Sequence, residues 1–443
     1  MTPGDRDAYP TSTTFSVGDE FTFTPDSKHL IFSAVPAENE AWSTNHDLCR
    51  VSVDNKSTNW ETLTKDNDAA DGCPRFSPDG KKLAYRAQSR TGYEADYWRL
   101  KGVECDPSGG NWKPVPCAAE GDFNVDDLAW AGNEKIFVCT EERGCRRIFT
   151  ANVGSSGPIS KGSPTEGSRT SLSVSRDGTA LAFAEARMDR PYEVFAISPA
   201  SSGSSVNLSQ ANAELLKALD LARPESVDIP VEGGVKMQMW ILKPPGFDPS
   251  KKWPLAYLVH GGPQGMWDDG WSFRWNAQVW AAQGYVVALP NPRGSSSFGQ
   301  KYMDEIAGDW GGKCYNDLVA GVNYLKTLPY IDSDRMASAG GSFGGYMQNW
   351  FAVNEIAKEF KCLITHCSVW DFESMWGTTD ELWFDEWEHG LPWSPKPNTP
   401  DHSPHKKMGN LGKYKTPMLI IHNDLDFRCP IGQGHELFTA LQR

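Results

Sequence analysis

The sequence predicts two folds in tandem, an all-β propeller present in part and then an α/β-hydrolase domain. Three observations carry this. A turn unit recurs about every 50 residues through the first half. Strand-like and helix-like segments alternate through the second half. A serine flanked by glycines, Gly340-Gly341-Ser342-Phe343-Gly344, sits between a strand-like and a helix-like segment, as a nucleophile elbow requires. With 443 residues there is length for two domains.

Up to about residue 205, apolar and polar residues alternate in short runs between turn signals, and no long run has helical period. The repeated unit occupies 23–32, 76–85, 128–137 and 174–183, turning at Asp26, Asp79, Gly132 and Asp177. Each is a tight turn between two strands whose apolar residues stack on the neighbouring sheets. Four units are at the low end for a closed ring, and the chain opens almost inside the first. The propeller therefore reads as a larger one cut short, with unpaired strand edges.

The low-complexity run from Ser198 to Ser205, then a helical run from Ala213 to Leu221, marks the joint. The expected domains are 1–205 (partial propeller), 206–224 (linker and short helix) and 225–443 (hydrolase). In the last, strands are predicted at Met237–Leu242, Leu255–Val259, Tyr285–Leu289, Arg335–Ala339, Leu363–Cys367 and Met418–His422, with a helix over Asp317–Leu325. This alternation implies a largely parallel sheet covered on both faces, with ligands beyond the strands' C-terminal ends. Three informative segments fall at such ends: His260-Gly261-Gly262-Pro263, the elbow serine and Asp424-Leu425-Asp426.

That set suits acyl transfer. A serine attacks a carbonyl, a histidine takes its proton, a carboxylate orients the histidine, and two backbone N–H groups hold the oxyanion. The Phe343 N–H supplies one donor, and the Gly261-Gly262 turn, free of side chains, supplies the other.

A formal charge of −14, with Lys and Arg scattered in pairs, argues against nucleic acid or an anionic membrane as partner. No apolar run approaches the roughly 20 residues that span a bilayer, and the opening MTPGDRDAYP lacks the regions of a signal peptide. Ten cysteines are too few for a disulfide scaffold. Cys139 with Cys145, and Cys105 with Cys117, are nevertheless expected as local clips across a turn and a loop. The sequons at Asn55 and Asn207 point, like the clips, to an oxidising, extracellular history. His402 and His405 have a spacing that can suit a metal, but Pro404 between them and the lack of a Cys or carboxylate pattern argue against one.

Six ordered motifs together resemble the prolyl oligopeptidase family: His260-Gly-Gly-Pro263, Asn291-Pro-Arg-Gly294, Gly308-Asp-Trp-Gly-Gly312, Gly341-Ser-Phe-Gly-Gly-Tyr-Met347, the run from Thr379 to Trp387, and Asp426-Phe-Arg-Cys-Pro430. Within it they are similar to the acylaminoacyl-peptidase branch and to secreted fungal dipeptidyl-peptidase V enzymes. The resemblance implies a propeller ahead of an α/β-hydrolase, Ser342 as nucleophile, Asp426 as the orienting acid, and Gly262 and Phe343 as oxyanion donors. It implies no cofactor, short peptides as substrates and a secreted enzyme; oligomeric state is left open. Asn423, where the family usually has Gly, and Cys429, where a small aliphatic is usual, are departures.

The hydrolase order is Ser, acid, His, so the base should follow Asp426. The 17 residues after Asp426 suffice for one helix, Gly432 to Leu441, and the only histidine there, His435, reads as a surface residue. The catalytic histidine is therefore expected beyond Arg443, and the chain as given is expected to be inactive or nearly so. An exopeptidase must also hold a free ammonium group, usually with a carboxylate. Glu381 and Glu386 are the candidate anchors, in a run that otherwise reads as a solvated acidic helix packing Trp383, Phe384 and Trp387 on the core. Three functions follow: a serine exopeptidase releasing dipeptides, a general esterase, or a catalytically dead binding module.

Overall fold

The computed structural model describes residues 21–35, 42–54, 60–118, 121–160, 162–163, 165–198, 205–396 and 401–443. Asn55 and most of the 198–205 run lie outside them. The chain divides into two units, Met1–Arg187 with Pro191–Glu214, and Met188–Arg190 with Leu215–Arg443.

The first unit is built of antiparallel sheets. Strands Phe21–Phe23, His29–Ala34, Asp47–Ser52 and Glu61–Thr62 form one; Asp71–Phe76, Lys82–Ala87, Arg99–Glu104 and Lys113–Val115 form another. An eight-stranded sheet follows, but its halves meet only through one parallel pair, Arg146 with Ser168. It is in effect two further four-stranded sheets. The repeated turns share one chemistry. In each, the aspartate Oδ1 accepts from a hydroxyl two residues before and a backbone N–H two residues after. The bonds are Thr24 (2.7 Å) and Lys28 (3.0 Å) to Asp26, Ser77 (2.7 Å) and Lys81 (3.1 Å) to Asp79, and Ser175 (2.7 Å) and Thr179 (3.1 Å) to Asp177. The unit at 128–137 lacks the aspartate and turns instead on Gly132, at φ 125°. Asn207 ends a two-residue strand, partly exposed, its Oδ1 accepting from the Gln210 N–H at 3.1 Å.

The expected clips do not form, for all ten cysteines are free thiols. Register explains the first pair: Cys139 lies opposite Ile148, while Cys145 lies opposite Glu142, three steps along the ladder. Cys105 and Cys117 face different apolar clusters, the former with Leu83 and Trp112, the latter with Val115 and Val153.

The second unit is a seven-stranded sheet of β1 (Glu225–Pro230), β2 (Lys236–Leu242), β3 (Trp253–Val259), β4 (Val286–Asn291), β5 (Ile331–Gly341), β6 (Cys362–His366) and β7 (Met418–Ile421). Their order is β1-β2-β4-β3-β5-β6-β7. The first two are antiparallel to their neighbours and the rest run parallel. Helices α1 (Ala277–Ala282), α2 (Lys313–Thr327), α3 (Phe343–Ala352), α4 (Leu382–His389) and α5 (Ile431–Gln442) belong to this unit. Its core joins strand residues such as Met239, Leu255 and Tyr257 to Leu318, Leu325, Tyr346 and Phe351 from the helices. Such strands are buried on both faces, which is why they read as continuous apolar runs.

Register sets where the site lies. Val259 pairs with Gly340, Gly341 with His366, and His366 with Ile421. Four strands therefore end level with one another. The residues just past those ends are His260, Ser342, Cys367 and His422.

Candidate active site

Ser342 joins β5 to α3 with φ 56° and ψ −123°, a conformation L-residues rarely hold. Glycine at both flanks makes it possible. A Cβ on Gly340 would fall 2.4 Å from the Gly344 carbonyl oxygen, and one on Gly344 would fall 2.2 Å from that of Val259. The Ser342 N–H donates to the His366 carbonyl at 2.9 Å, and its own carbonyl accepts from Tyr346 at 2.8 Å, so the turn is pinned to β6 and to the first turn of α3. Its Oγ has no hydrogen-bond partner among the described residues and is partly exposed.

The Gly261-Gly262 turn closes over this serine. A Cβ on Gly261 would stand 3.3 Å from the Gly341 carbonyl oxygen and 3.4 Å from Ser342 Cβ, so the turn lies in close contact with the elbow. Gly262 has φ 125° and leads into a cis bond to Pro263. Phe343 is the first residue of α3, where the backbone N–H has no partner within the helix. The turn and the helix start thus bring both expected oxyanion donors, Gly262 and Phe343, next to Ser342.

One buried carboxylate links the surroundings of these two residues. Glu388, on α4, accepts from Gln264 Nε2 through Oε1 and from Trp310 Nε1 through Oε2, each at 2.7 Å. Gln264 follows the Gly-Gly turn, and the Trp310 ring lies edge-on to Phe343 at 5.0 Å and Tyr346 at 5.1 Å. Burial pushes the Glu388 carboxyl up to about 6, outweighing the two hydrogen bonds that favour its ionised form. Asp385, one turn earlier, is pushed up to about 8 by burial and then by the nearby Glu388 and Glu386. The acidic run is therefore no solvated face. Glu381, Asp385 and Glu388 are all buried; Arg428 pairs with Glu381, and Gln264 and Trp310 donate to Glu388. Trp383 is buried and Phe384 packs on the core.

Two motifs act at a distance. Arg293 grips Asp317 of α2 with Nε at 2.9 Å and Nη2 at 2.6 Å, both side chains buried. Asn291 is also buried; its Oδ1 accepts from the Trp267 N–H (2.7 Å) and its Nδ2 donates to the Trp267 carbonyl (3.0 Å), which fixes the chain after the Gly-Gly turn. A cavity of about 190 Å³ opens beyond that turn, lined by Met188, Met266, Trp267, Trp275 and Leu289 among others. Trp275 also stands edge-on to the His366 ring, at 5.4 Å.

Asp426 follows β7, partly exposed, with Oδ1 accepting from the backbone N–H groups of Arg428 (3.2 Å) and Cys429 (2.9 Å). Leu425 and Phe427 on either side are exposed. None of the nine histidines hydrogen-bonds Ser342 or Asp426 among the described residues. His260 is held between the Gly261 carbonyl (Nδ1, 2.7 Å) and Ser295 Oγ (Nε2, 2.9 Å), and burial pushes it down to about 4. His435 is exposed on α5. Of the two candidate anchors, Glu381 pairs with Arg428 at 2.5 Å, and Glu386 accepts from Trp376 Nε1 at 3.3 Å. His402 accepts from the Gly311 N–H at 3.0 Å and His405 lies 3.2 Å from Asp371, so each has its own partner. Sequence reasoning passed over Gln264, Trp310 and Cys367, and met Glu388 only as one carboxylate of the acidic run. Only Trp310 lay in a quoted motif, and the contacts that join Gln264 and Trp310 to Glu388 span 124 and 78 positions.

A mostly parallel sheet in this order, with a strained serine between strand and helix and a Gly-Gly turn against it, defines an α/β-hydrolase. Residues 271–443 match the prolyl oligopeptidase family, Peptidase S9. A probable dipeptidyl-peptidase 5 of Aspergillus flavus is 36% identical over 376 residues, covering 84% of this chain and 51% of that protein. The dipeptidyl-peptidase 5 of Trichophyton tonsurans is 35% identical over 414 residues, covering 90% of this chain and 54% of that protein. The chain thus spans about half the length of the curated relatives it matches. Acylaminoacyl peptidase of Pyrococcus horikoshii superposes with a TM-score of 0.77 at 20% identity, over 95% of this chain and 64% of that one. The fold is accordingly a propeller with an α/β-hydrolase.

No helix of the described residues is long and apolar enough to cross a membrane.

Proposed function

We propose that this chain carries the acyl-transfer site of a secreted serine exopeptidase, with Ser342 forming an acyl-enzyme on short peptides and releasing N-terminal dipeptides. The observation that carries the reading is the strained Ser342, its Oγ unbonded, under the Gly261-Gly262 turn. Ser342 Oγ attacks the scissile carbonyl carbon and the N–H groups of Gly262 and Phe343 receive the oxyanion; the base takes the Oγ proton and gives it to the amine as the C–N bond breaks. Asp426 orients the base; the reading assigns that base to none of the nine histidines here. The names of the fungal relatives support the dipeptide specificity. The antiparallel sheets of the first unit are read as part of a larger propeller, which the coverage of about half those relatives supports. For the substrate's ammonium group, Glu386 is the better anchor, since at Glu381 it would have to displace Arg428.

The test is labelling by a fluorophosphonate, read by mass spectrometry of the digested protein, with dipeptide amides, N-acetylated peptides and simple esters as substrates. An adduct on the Ser342 peptide that vanishes in Ser342→Ala is expected, as is preference for free dipeptide amides in any turnover. An adduct elsewhere, unmoved by Ser342→Ala, would overturn the nucleophile; faster ester cleavage would turn the reading to an esterase.

A further inference from the structure

The acid end of the site holds a second constellation. Cys367, at the end of β6, and His422 and Asp426, past β7, offer ligand atoms that all lie within 4.8 Å of one another. Strand register causes the meeting, since His366 pairs with Ile421 and the next residues on each strand are Cys367 and His422. We propose that Cys367, His422 and Asp426 form a binding site for a soft divalent cation, Zn(II) being the best match to their chemistry.

The surroundings are arranged as around a metal. His422 Nε2 lies 2.6 Å from the Cys429 carbonyl oxygen, which can only accept, so Nε2 carries the proton. Nδ1 is then a bare acceptor, and it is buried without a hydrogen bond among the described residues. A ligating histidine commonly donates its other N–H to a carbonyl in this way. A Cβ on Gly434 would come within 2.8 Å of Nδ1, so the glycine lets α5 pack against the imidazole without covering that nitrogen with a side chain. Asn423 Nδ2 donates to Cys367 Sγ at 3.4 Å, which holds the sulfur in place. Asp426 keeps one carboxylate oxygen on two backbone N–H groups, which fixes its plane.

Thiolate, imidazole and carboxylate together suit Zn(II) rather than Mg(II) or Ca(II). Tetrahedral Zn(II) binds sulfur at about 2.3 Å and nitrogen or oxygen at about 2.0–2.2 Å; side-chain rotation can draw in the three ligands. The fourth position stays open to water. On binding, the Cys367 thiol gives its proton to solvent and its sulfur lone pair to the metal, and no electron is transferred. With Asp426 taken up in this way, the cation opposes the role proposed for it above, but the site itself rests on geometry alone.

Binding is tested on the full chain without any turnover. Co(II) serves as the spectroscopic probe, through its thiolate charge-transfer absorption, and Zn(II) is titrated in competition with a chromophoric chelator. One equivalent is expected, with the charge-transfer band lost in Cys367→Ser and affinity reduced at least about tenfold in His422→Gln. Zn(II) should also raise Tm of the unaltered chain and of Cys362→Ser, a thiol at the other end of the same strand, but not of Cys367→Ser. A band that survives Cys367→Ser, or is lost in Cys362→Ser, would overturn the site. So would affinity unchanged in both Cys367→Ser and His422→Gln.

Discussion

The two ends of the site are placed by the same sheet edge and yet are built to different standards. At the serine end, the Gly-Gly turn and the start of α3 are tied through Gln264 and Trp310 to the fully buried Glu388. At the acid end, Asp426 sits in a loop between exposed Leu425 and Phe427, held by two backbone N–H groups. Strand register alone therefore brings groups together; rigidity needs a buried partner behind them.

The contrast can be broken in order of expected effect. Asp385 comes first. Its folded pKa, about 8, lies above the ordinary 3.8, so its contribution to stability is fully present below pH 3.8 and is lost as pH rises through about 8. Asp385→Asn removes that loss. In urea denaturation the unaltered chain should weaken by several kcal/mol relative to Asp385→Asn across this range. Parallel pH profiles would show that Asp385 is not buried as described. Next, Glu388→Ala leaves the Gln264 and Trp310 N–H groups without an acceptor and should cost about 3 kcal/mol by the same measurement. A cost under about 0.5 kcal/mol would mean the brace holds nothing.

Gly262→Ala sharpens the comparison within the turn itself. The alanine must keep φ 125° with its Cβ only 2.6 Å from the Gln264 nitrogen, so about 2 kcal/mol of stability is expected to be lost. Fluorophosphonate labelling of Ser342 should slow with it. At the acid end, Leu425→Ser should change stability by no more than about 0.5 kcal/mol; a larger loss would show that end to be packed after all.

Much of this was legible in the sequence. Ser342, Gly262, Phe343 and Asp426 lie at strand ends that apolar runs marked to within a few residues, and aspartate at three of four blade turns disclosed the repeat. What could not be read was partnership across the chain. The cysteine clips failed because spacing along the chain does not give register across a hairpin. The acidic run read as a solvated face because its partners, Gln264 and Trp310, lie 124 and 78 residues from Glu388. Cys367 carried no motif, and only the pairing of β6 with β7 brings it to His422.

The level strand ends have a use at the opposite edge of the sheet. Since every site segment leaves from one side, the connections on the other side carry none of the chemistry, and exposed Lys251 and Lys252, just before β3, are such a place. A small folded domain with neighbouring termini spliced between them should leave the reactivity of Ser342 unchanged. This gives a fixed handle for a fluorescent reporter or a surface tether.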